Sequence, residues 1–251
     1  MNDEVEPRGD DADASAPSVD PERFHRMQVD GERFSVLDVR NLTEREAWPL
    51  DVGDAEERHV PFSRVVTTRV TGDVTDLVEG LAEPVVVVCP RGEASARAAT
   101  ALVEAGVDAV NLAGGLRGYA RLLVGTDLGV DAGGALVREY HRPASGCLSY
   151  LVVSDGEALV VDPLRAFADR YVADAAALDA SVTVAVDTHV HADHVSGVRE
   201  VAAASGAQPV LPEGARDRGL AFDATLLADG DVVAVGDVDL GAVAVPGHTS
   251  E

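Results

Sequence analysis

The sequence predicts an α/β chain of two domains, and three observations carry that reading. Strand-length apolar runs alternate with helix-length amphipathic ones from residue 34 onward. Two loops rich in reactive side chains, one opening at Cys89 and one around His189, each follow an apolar run. Between them lies a stretch rich in glycine and aspartate. Strand–helix alternation is the pattern of a largely parallel sheet covered by helices. A chain of 251 residues, 46% of them apolar, is long enough for two such cores.

Residues 1–20 are acidic and rich in small residues, with neither a basic nor an apolar region. They predict a disordered tail and not a signal peptide. A first domain follows over 21–125, with strands at 34–38, 85–89 and 109–112 and helices at 74–81, 95–105 and 116–124. Residues 126–134, carrying Asp127, Gly129, Asp131, Gly133 and Gly134, read as a linker. The second domain, 135–251, has predicted strands at 147–153, 157–162, 182–187, 232–235 and 238–245, and helices at 165–178 and 194–204. Ser154-Asp155-Gly156 carries the Asp-Gly pair of a tight hairpin turn between the first two of these strands.

The first chemical signal is a short buried strand, Val85-Val86-Val87-Val88, that ends in Cys89. A tight loop of Pro90, Arg91, Gly92, Glu93 and Ala94 follows, and Ser95 opens a helix. A thiol ringed by loop amides at a helix N-terminus sits where a thiolate, an anion or a persulfide sulfur is stabilised. Arg91 can clamp a persulfide or a carboxylate, while Glu93 opposes dianionic sulfur donors. The alternative is an inert buried cysteine, since cysteine often serves as a small apolar core residue.

This loop resembles the active loop of rhodanese-type sulfurtransferases. Val36-Leu37-Asp38-Val39-Arg40 is similar to that family's early strand and its Asp-x-Arg pair. Asn111-Leu112-Ala113-Gly114-Gly115-Leu116-Arg117-Gly118-Tyr119 is similar to its closing strand, Gly-Gly pair and helix. The resemblance covers about residues 20–125 and implies that Cys89 carries a transferable sulfur within the 90–95 loop. Two departures stand out: His59-Val60-Pro61 only hints at the family's His-Ile-Pro-Gly-Ala, and Pro90 stands where the family often has arginine.

The second signal is Thr188-His189-Val190-His191-Ala192-Asp193-His194, with three histidines and an aspartate in six positions behind an apolar run. Imidazole is a poor core group and the commonest metal ligand, so the cluster reads as a site for one or two ions. The motif resembles the signature of the metallo-β-lactamase fold, a four-layer αββα sandwich. Residues 146–153 and 157–163 are similar to that family's opening strand pair, ending near Asp162, and Val245-Pro246-Gly247-His248-Thr249 to its third ligand element. The coverage is about residues 135–251.

The resemblance implies two ligand schemes. In a persulfide dioxygenase-like site, His189 and His248 plus a carboxylate further on hold one Fe(II), leaving positions open for oxygen and substrate. In a hydrolase-like site of the glyoxalase II type, His189, His191 and His248 hold one Zn(II) while Asp193 and His194 contribute to a second. Asp162 is expected to orient a histidine from behind. Ala192 and Val195-Ser196-Gly197 resemble the persulfide dioxygenases more closely. The substrate is then a low-molecular-weight thiol persulfide or an acyl-thiol. Because the sequence reaches Glu251 three residues after His248, an incomplete sandwich, with the rhodanese-like part alone retained, is a third expectation.

Composition bounds the partners. The net charge is −24, and all 20 basic residues other than histidine are arginine. Such a surface repels nucleic acid and anionic membranes. It resembles the acidic proteins of halophilic archaea, in which molar salt screens self-repulsion, although a GC-rich genome gives a similar bias. The two cysteines, Cys89 and Cys147, fall in different domains and make no disulfide framework, which points to a reducing, cytoplasmic setting. Cys147 reads as packing, and His25, His59 and His141 as structural. No apolar run approaches the roughly 20 residues of a membrane helix. The oligomeric state is left open.

Overall fold

The computed structural model describes residues 16–245 and 247, and the chain divides into two compact units, Met1–Leu122 and Leu123–Glu251. In the first, β1 (Ser18–Val19), β2 (Ser35–Asp38), β3 (Glu56–His59), β4 (Val85–Val88) and β5 (Ala109–Leu112) form one sheet in the order β1-β5-β4-β2-β3. Every pairing is parallel. Parallel neighbours need crossovers. These contain α1 (Pro21–Val29), α2 (Leu42–Ala47), α3 (Phe62–Thr71) and α4 (Glu93–Glu104), and α5 (Gly115–Tyr119) follows the last strand. The four valines of β4 are all buried, as a central parallel strand demands. Leu37 and Val87 pack with Val65, Ala98 and Leu102 of the covering helices.

Several segments differ from the sequence expectation. The last residues of the presumed tail are structural: Asn111 donates its N–H to the Pro17 carbonyl and β1 adds an edge to the sheet. Residues 1–15 of that tail lie outside the described residues. The helix expected at 74–81 is a short 3-10 turn, Val74–Leu77, and the long helix of this region is α3. Valine and threonine dominate α3, which lowers its helix propensity. Its Thr67 and Thr71 hydroxyls fold back onto the Ser63 and Thr67 carbonyls.

The Asp-x-Arg pair closes the end of β2. Asp38 is fully buried and Arg40 only 2% exposed. The Arg40 Nε lies 3.0 Å from both carboxylate oxygens and its Nη2 2.7 Å from one. Arg45 Nε adds a fourth contact at 3.0 Å, and the Arg40 carbonyl lies 2.7 Å from His59 Nε2. Removing one partner strands the other charge in the core. Arg40→Ala should therefore cost about 3–5 kcal/mol of stability, read from urea unfolding. A loss under about 1 kcal/mol would mean that Arg45 alone satisfies the carboxylate.

In the second unit, β6 (Val124–Leu128), β7 (Leu136–Arg142), β8 (Cys147–Ser154), β9 (Glu157–Val161), β10 (Ser181–Val186), β11 (Gln208–Pro212) and β12 (Thr225–Leu227) form one sheet in sequence order. The pairs from β6 to β9 are antiparallel, and those from β9 to β12 parallel. Alternation along the strands sorts the two faces. Leu151, Val160 and Ala185 pack against Tyr171 and Ala175 of α6 (Ala168–Ala177) and Val198 and Val201 of α7 (Val198–Ser205). Their neighbours Val152, Leu159 and Val184 face Val235 of a hairpin, β13 (Val232–Val235) with β14 (Val238–Gly241). A cavity of about 660 Å³, lined in part by Leu159, Val161, Val186 and Leu240, opens on this face.

The Asp-Gly turn is as expected, with Asp155 at φ 45° and Gly156 at φ 75°, both positive as a type I′ turn requires. The expected linker is not one throughout. Val124–Leu128 is the edge strand β6, paired with β7, and Asp127 bonds to Arg138 across the pair. The strand expected over 238–245 stops at Gly241. Among the described residues, no helix is long and apolar enough to cross a membrane.

Candidate metal centre and sulfur-binding loop

The adjacent parallel strands β9 and β10 are in register at Val161 and Val186 and end together. The crevice outside such strand ends is where open α/β sheets bind ligands. Asp162 follows one strand and Asp187, Thr188 and His189 the other. The histidine loop is strapped to the Asp162 loop: Gly197 N–H donates to the Pro163 carbonyl at 2.6 Å, and Arg165 N–H to that of Val195 at 3.0 Å. A Cβ on Gly197 would lie 2.9 Å from Arg165 N and Leu164 C, so only glycine allows this approach. The strap also consumes 194–197, which the sequence assigns to a helix, and α7 starts at Val198.

Hydrogen bonds fix which ring nitrogens face the site. The Thr188 hydroxyl lies 2.8 Å from Asp162 Oδ2 and 2.8 Å from His189 Nδ1. Its single proton goes to the carboxylate, so it accepts from His189 Nδ1–H and leaves the lone pair on Nε2. Asp162 Oδ1 accepts the Thr188 N–H at 2.6 Å and the His191 Nε2–H at 3.0 Å. His191 therefore offers Nδ1. A carboxylate behind a ligating imidazole sets its tautomer and raises its basicity. Asp162 thus has the geometry expected of it.

The three imidazoles stack closely, His189 to His191 at 4.0 Å between centroids and His191 to His194 at 3.9 Å. Asp193 Oδ1 lies 3.6 Å from His191 Nδ1 and 3.4 Å from His194 Nδ1. Burial alone would lower the pKa of His191, but Asp162 and Asp187 outweigh it, and the ring is pushed up to about 10. His194 is lowered, first by burial and then by the charged His191 beside it. Burial would raise Asp162, yet His191 and Thr188 hold it below the usual carboxylate range. Asp162 and Asp187 hold the His191 proton at Nε2, which leaves Nδ1 as the nitrogen that faces a cation.

These residues fit a metal ion. His191 Nδ1 and both nitrogens of His194 are buried without a hydrogen bond. Each such orphan costs about 1–3 kcal/mol, which coordination removes. Asp162 groups with His189 and His191, on the nitrogens it and Thr188 hold from behind, and Asp193 and His194 group with Cys147. The structure thus gathers four of the five expected ligands, and His248 lies outside the described residues. Thr188 opens the quoted motif, but sequence gives it no role of its own, and Asp187, buried with Oδ1 3.6 Å from His191 Nε2, is not among the expected site residues. Its one signal is position, directly after the apolar run that precedes the histidines.

In the first unit, Cys89 is 1% exposed and not an open thiol. Its Sγ accepts the Gly92 N–H at 3.0 Å and lies 3.1 Å from Ser95 Oγ. Ser95 Oγ also lies 2.7 Å from Asn111 Oδ1 and 3.1 Å from the Gly92 carbonyl, so its one proton can serve the amide oxygen, that carbonyl or the sulfur. Arg91 and Glu93 are exposed, with Pro90 and Ala94 between the extremes. The loop is closed by Leu116 N–H to the Cys89 carbonyl and Arg117 N–H to that of Pro90. Gly115, at φ 57°, would place a Cβ 2.3 Å from the Cys89 carbonyl oxygen.

Comparison with known proteins places both units. Residues 20–122 match the rhodanese-like domain model, and residues 142–251 match that of the metallo-beta-lactamase superfamily. A probable metallo-hydrolase of Burkholderia pseudomallei is 31% identical over 144 residues, covering 45% of this chain and 48% of that protein. A hydroxyacylglutathione hydrolase of Rhodospirillum rubrum is 34% identical over 94 residues, 38% of this chain and 36% of that protein. The chain thus spans less than half the length of these curated relatives. Among solved structures, ETHE1 from Myxococcus xanthus is similar, at 29% identity and a TM-score of 0.42 over 45% of this chain and 50% of that one. A rhodanese-related protein from Thermoplasma volcanium is similar at 20% identity and a TM-score of 0.33, over 41% and 89%. The chain carries a rhodanese-like domain followed by a metallo-β-lactamase-fold domain.

Proposed function

We propose that this protein belongs to thiol-sulfur metabolism. In this reading its metal half oxidises a low-molecular-weight thiol persulfide to sulfite, and its rhodanese-like half moves sulfur through Cys89. The observation that supports the pairing is the presence, in one chain, of a sulfur cradle at Cys89 Sγ and an imidazole–carboxylate centre at His189 and His191. The balanced reaction is RSSH + O2 + H2O → RSH + sulfite + two protons: the outer sulfur is oxidised and dioxygen reduced. Fe(II), when bound, supplies the one-electron chemistry that dioxygen requires. The resemblance gives the iron His189, through Nε2, and His248 with a carboxylate further on; the direction of His191 Nδ1 adds that ring as a further candidate ligand. Asp162 and Thr188 keep the two rings in their ligating tautomers. Persulfide chemistry also points to a reducing compartment.

A second reading has its own support. Asp193 and His194 stand beside the first donor pair, as a two-zinc thioester hydrolase needs, and two of the relatives are named hydrolases. Metal-free chain reloaded with Fe(II) should consume oxygen and release sulfite one for one with a thiol persulfide. If the iron form takes up no oxygen while the zinc form cleaves an acyl-thiol ester, hydrolysis replaces oxidation.

A further inference from the structure

We infer that Asn111 is a positioning residue for Cys89: it decides where the Ser95 proton sits, and so holds the sulfur as a neutral thiol at rest. Asn111 lies in β5 between Val110 and Leu112 and is only 7% exposed. Asparagine is a poor strand residue, and a buried amide costs stability unless its polar atoms are bonded. The strand register explains its reach. Asn111 is paired with Val87, two residues before Cys89 on the neighbouring strand. Residues two apart share a face, and both Val87 and Cys89 pack with Ala98 and Leu102 of α4. Ser95 stands in the first turn of that helix. The Asn111 amide meets it there, with Oδ1 2.7 Å from Ser95 Oγ, while Nδ2 lies 3.4 Å from Ser18 Oγ on β1.

The proton balance follows from these partners. An amide oxygen only accepts, whereas a hydroxyl donates one proton and accepts on two lone pairs. Among the described residues, the Ser95 hydroxyl is the donor that reaches Asn111 Oδ1. The Gly92 carbonyl, 3.1 Å from Ser95 Oγ, already receives the Ala96 N–H at 3.0 Å. With the sulfur protonated, every group is served: the thiol S–H donates to Ser95 Oγ, and the Ser95 O–H to Asn111 Oδ1. With the sulfur ionised, Sγ accepts the Gly92 N–H and calls for the Ser95 proton as well. That turn leaves Asn111 Oδ1 buried without a donor, the costly state for a polar atom. Asn111 thus weighs against the thiolate. An unloaded sulfur is thereby kept less reactive toward oxidants, whose attack follows thiolate character. The role rests on reading Cys89 as the sulfur carrier, but the proton balance holds whether or not sulfur moves.

Alkylation of the full chain by iodoacetamide, followed across pH on the Cys89 peptide by mass spectrometry, reads that balance. Altered access scales the rate at every pH, whereas an altered proton balance moves the profile along the pH axis. Asn111→Leu, near in shape and without polar atoms, should move the profile about one unit toward acid. That is roughly tenfold more thiolate below the midpoint. Asn111→Asp keeps the acceptor and adds charge, so it should move the profile toward alkali. A residue that merely shaped the strand would move both variants alike, or only scale their rates. In a Ser95→Ala chain, Asn111→Leu should shift the profile by less than about 0.3 unit, because its effect runs through the hydroxyl. Asn111→Asp answers the question should Asn111→Leu fail to fold, and a shift toward acid or none in that variant overturns the role. So does an Asn111→Leu profile that stays in place, moves toward alkali, or moves equally without Ser95. A moved profile in a chain that passes no sulfur to cyanide keeps this role and removes the transfer proposed above. Transfer with an unmoved profile does the reverse.

Discussion

Replacing His191 by alanine is expected to abolish binding of an ion at the first centre. His191 Nδ1 is the one lone pair in the described loop whose direction is fixed by two carboxylates behind it, Asp162 at 3.0 Å and Asp187 at 3.6 Å from Nε2. Removing the ring deletes a ligand and strands both carboxylates against the strand ends. Asp162→Ala should be milder and separable. It leaves all ligands in place but frees the tautomer of His191, and loses the Thr188 bonds that set His189. Loss of such a support costs about 10–100-fold in metal affinity, or about 1.4–2.7 kcal/mol. Competition with a chelator, by zinc and ferrous iron in turn, measures both variants. Undiminished affinity in His191→Ala would dissolve the centre. Wild-type affinity in Asp162→Ala would mean that packing, and not the carboxylate, aims the imidazoles.

Much of this was legible in the sequence, and the rest was hidden for identifiable reasons. The histidine motif told its own story, because imidazoles at that density have few explanations besides a metal. Val85-Val86-Val87-Val88 reads correctly as a buried strand, since continuous valine suits burial on both faces. Helices α1 and α2, absent from the expected elements, carry local signals of their own: Asp20 caps α1 ahead of Pro21, and Asn41 with Glu44 forms a capping box on α2. Other segments misled. Glycine and aspartate at 125–129 suggest a linker, yet an edge strand tolerates both when its neighbour supplies the register. The loop 194–197 looked helical, and only the distant Pro163 and Arg165 show that its backbone bonds go elsewhere. Asp187 carries no such signal, because its contact with His191 depends on which strands end together, and periodicity does not encode that.

Cys89→Ser is expected to end sulfur transfer to cyanide by the first domain, a fall on the order of a thousandfold or more, as for other excised nucleophiles. The substitution suits the question because a serine hydroxyl can still accept from Gly92 N–H and meet Ser95, so the loop should keep its shape while the sulfur is lost. An unchanged unfolding midpoint would confirm that. Ser95→Ala probes how the buried sulfur bears charge. Its hydroxyl is closer to Asn111 than to Cys89, so in the resting protein the proton favours the amide. When Cys89 ionises, a turn of that hydroxyl toward Sγ adds a charge-assisted bond of about 1.5–3 kcal/mol. Its removal should slow transfer about 10- to 100-fold. The sign matters for what the domain is. A transfer rate indifferent to both changes would leave Cys89 as a packing residue beneath Gly115, and would remove the first domain from the sulfur chemistry proposed above.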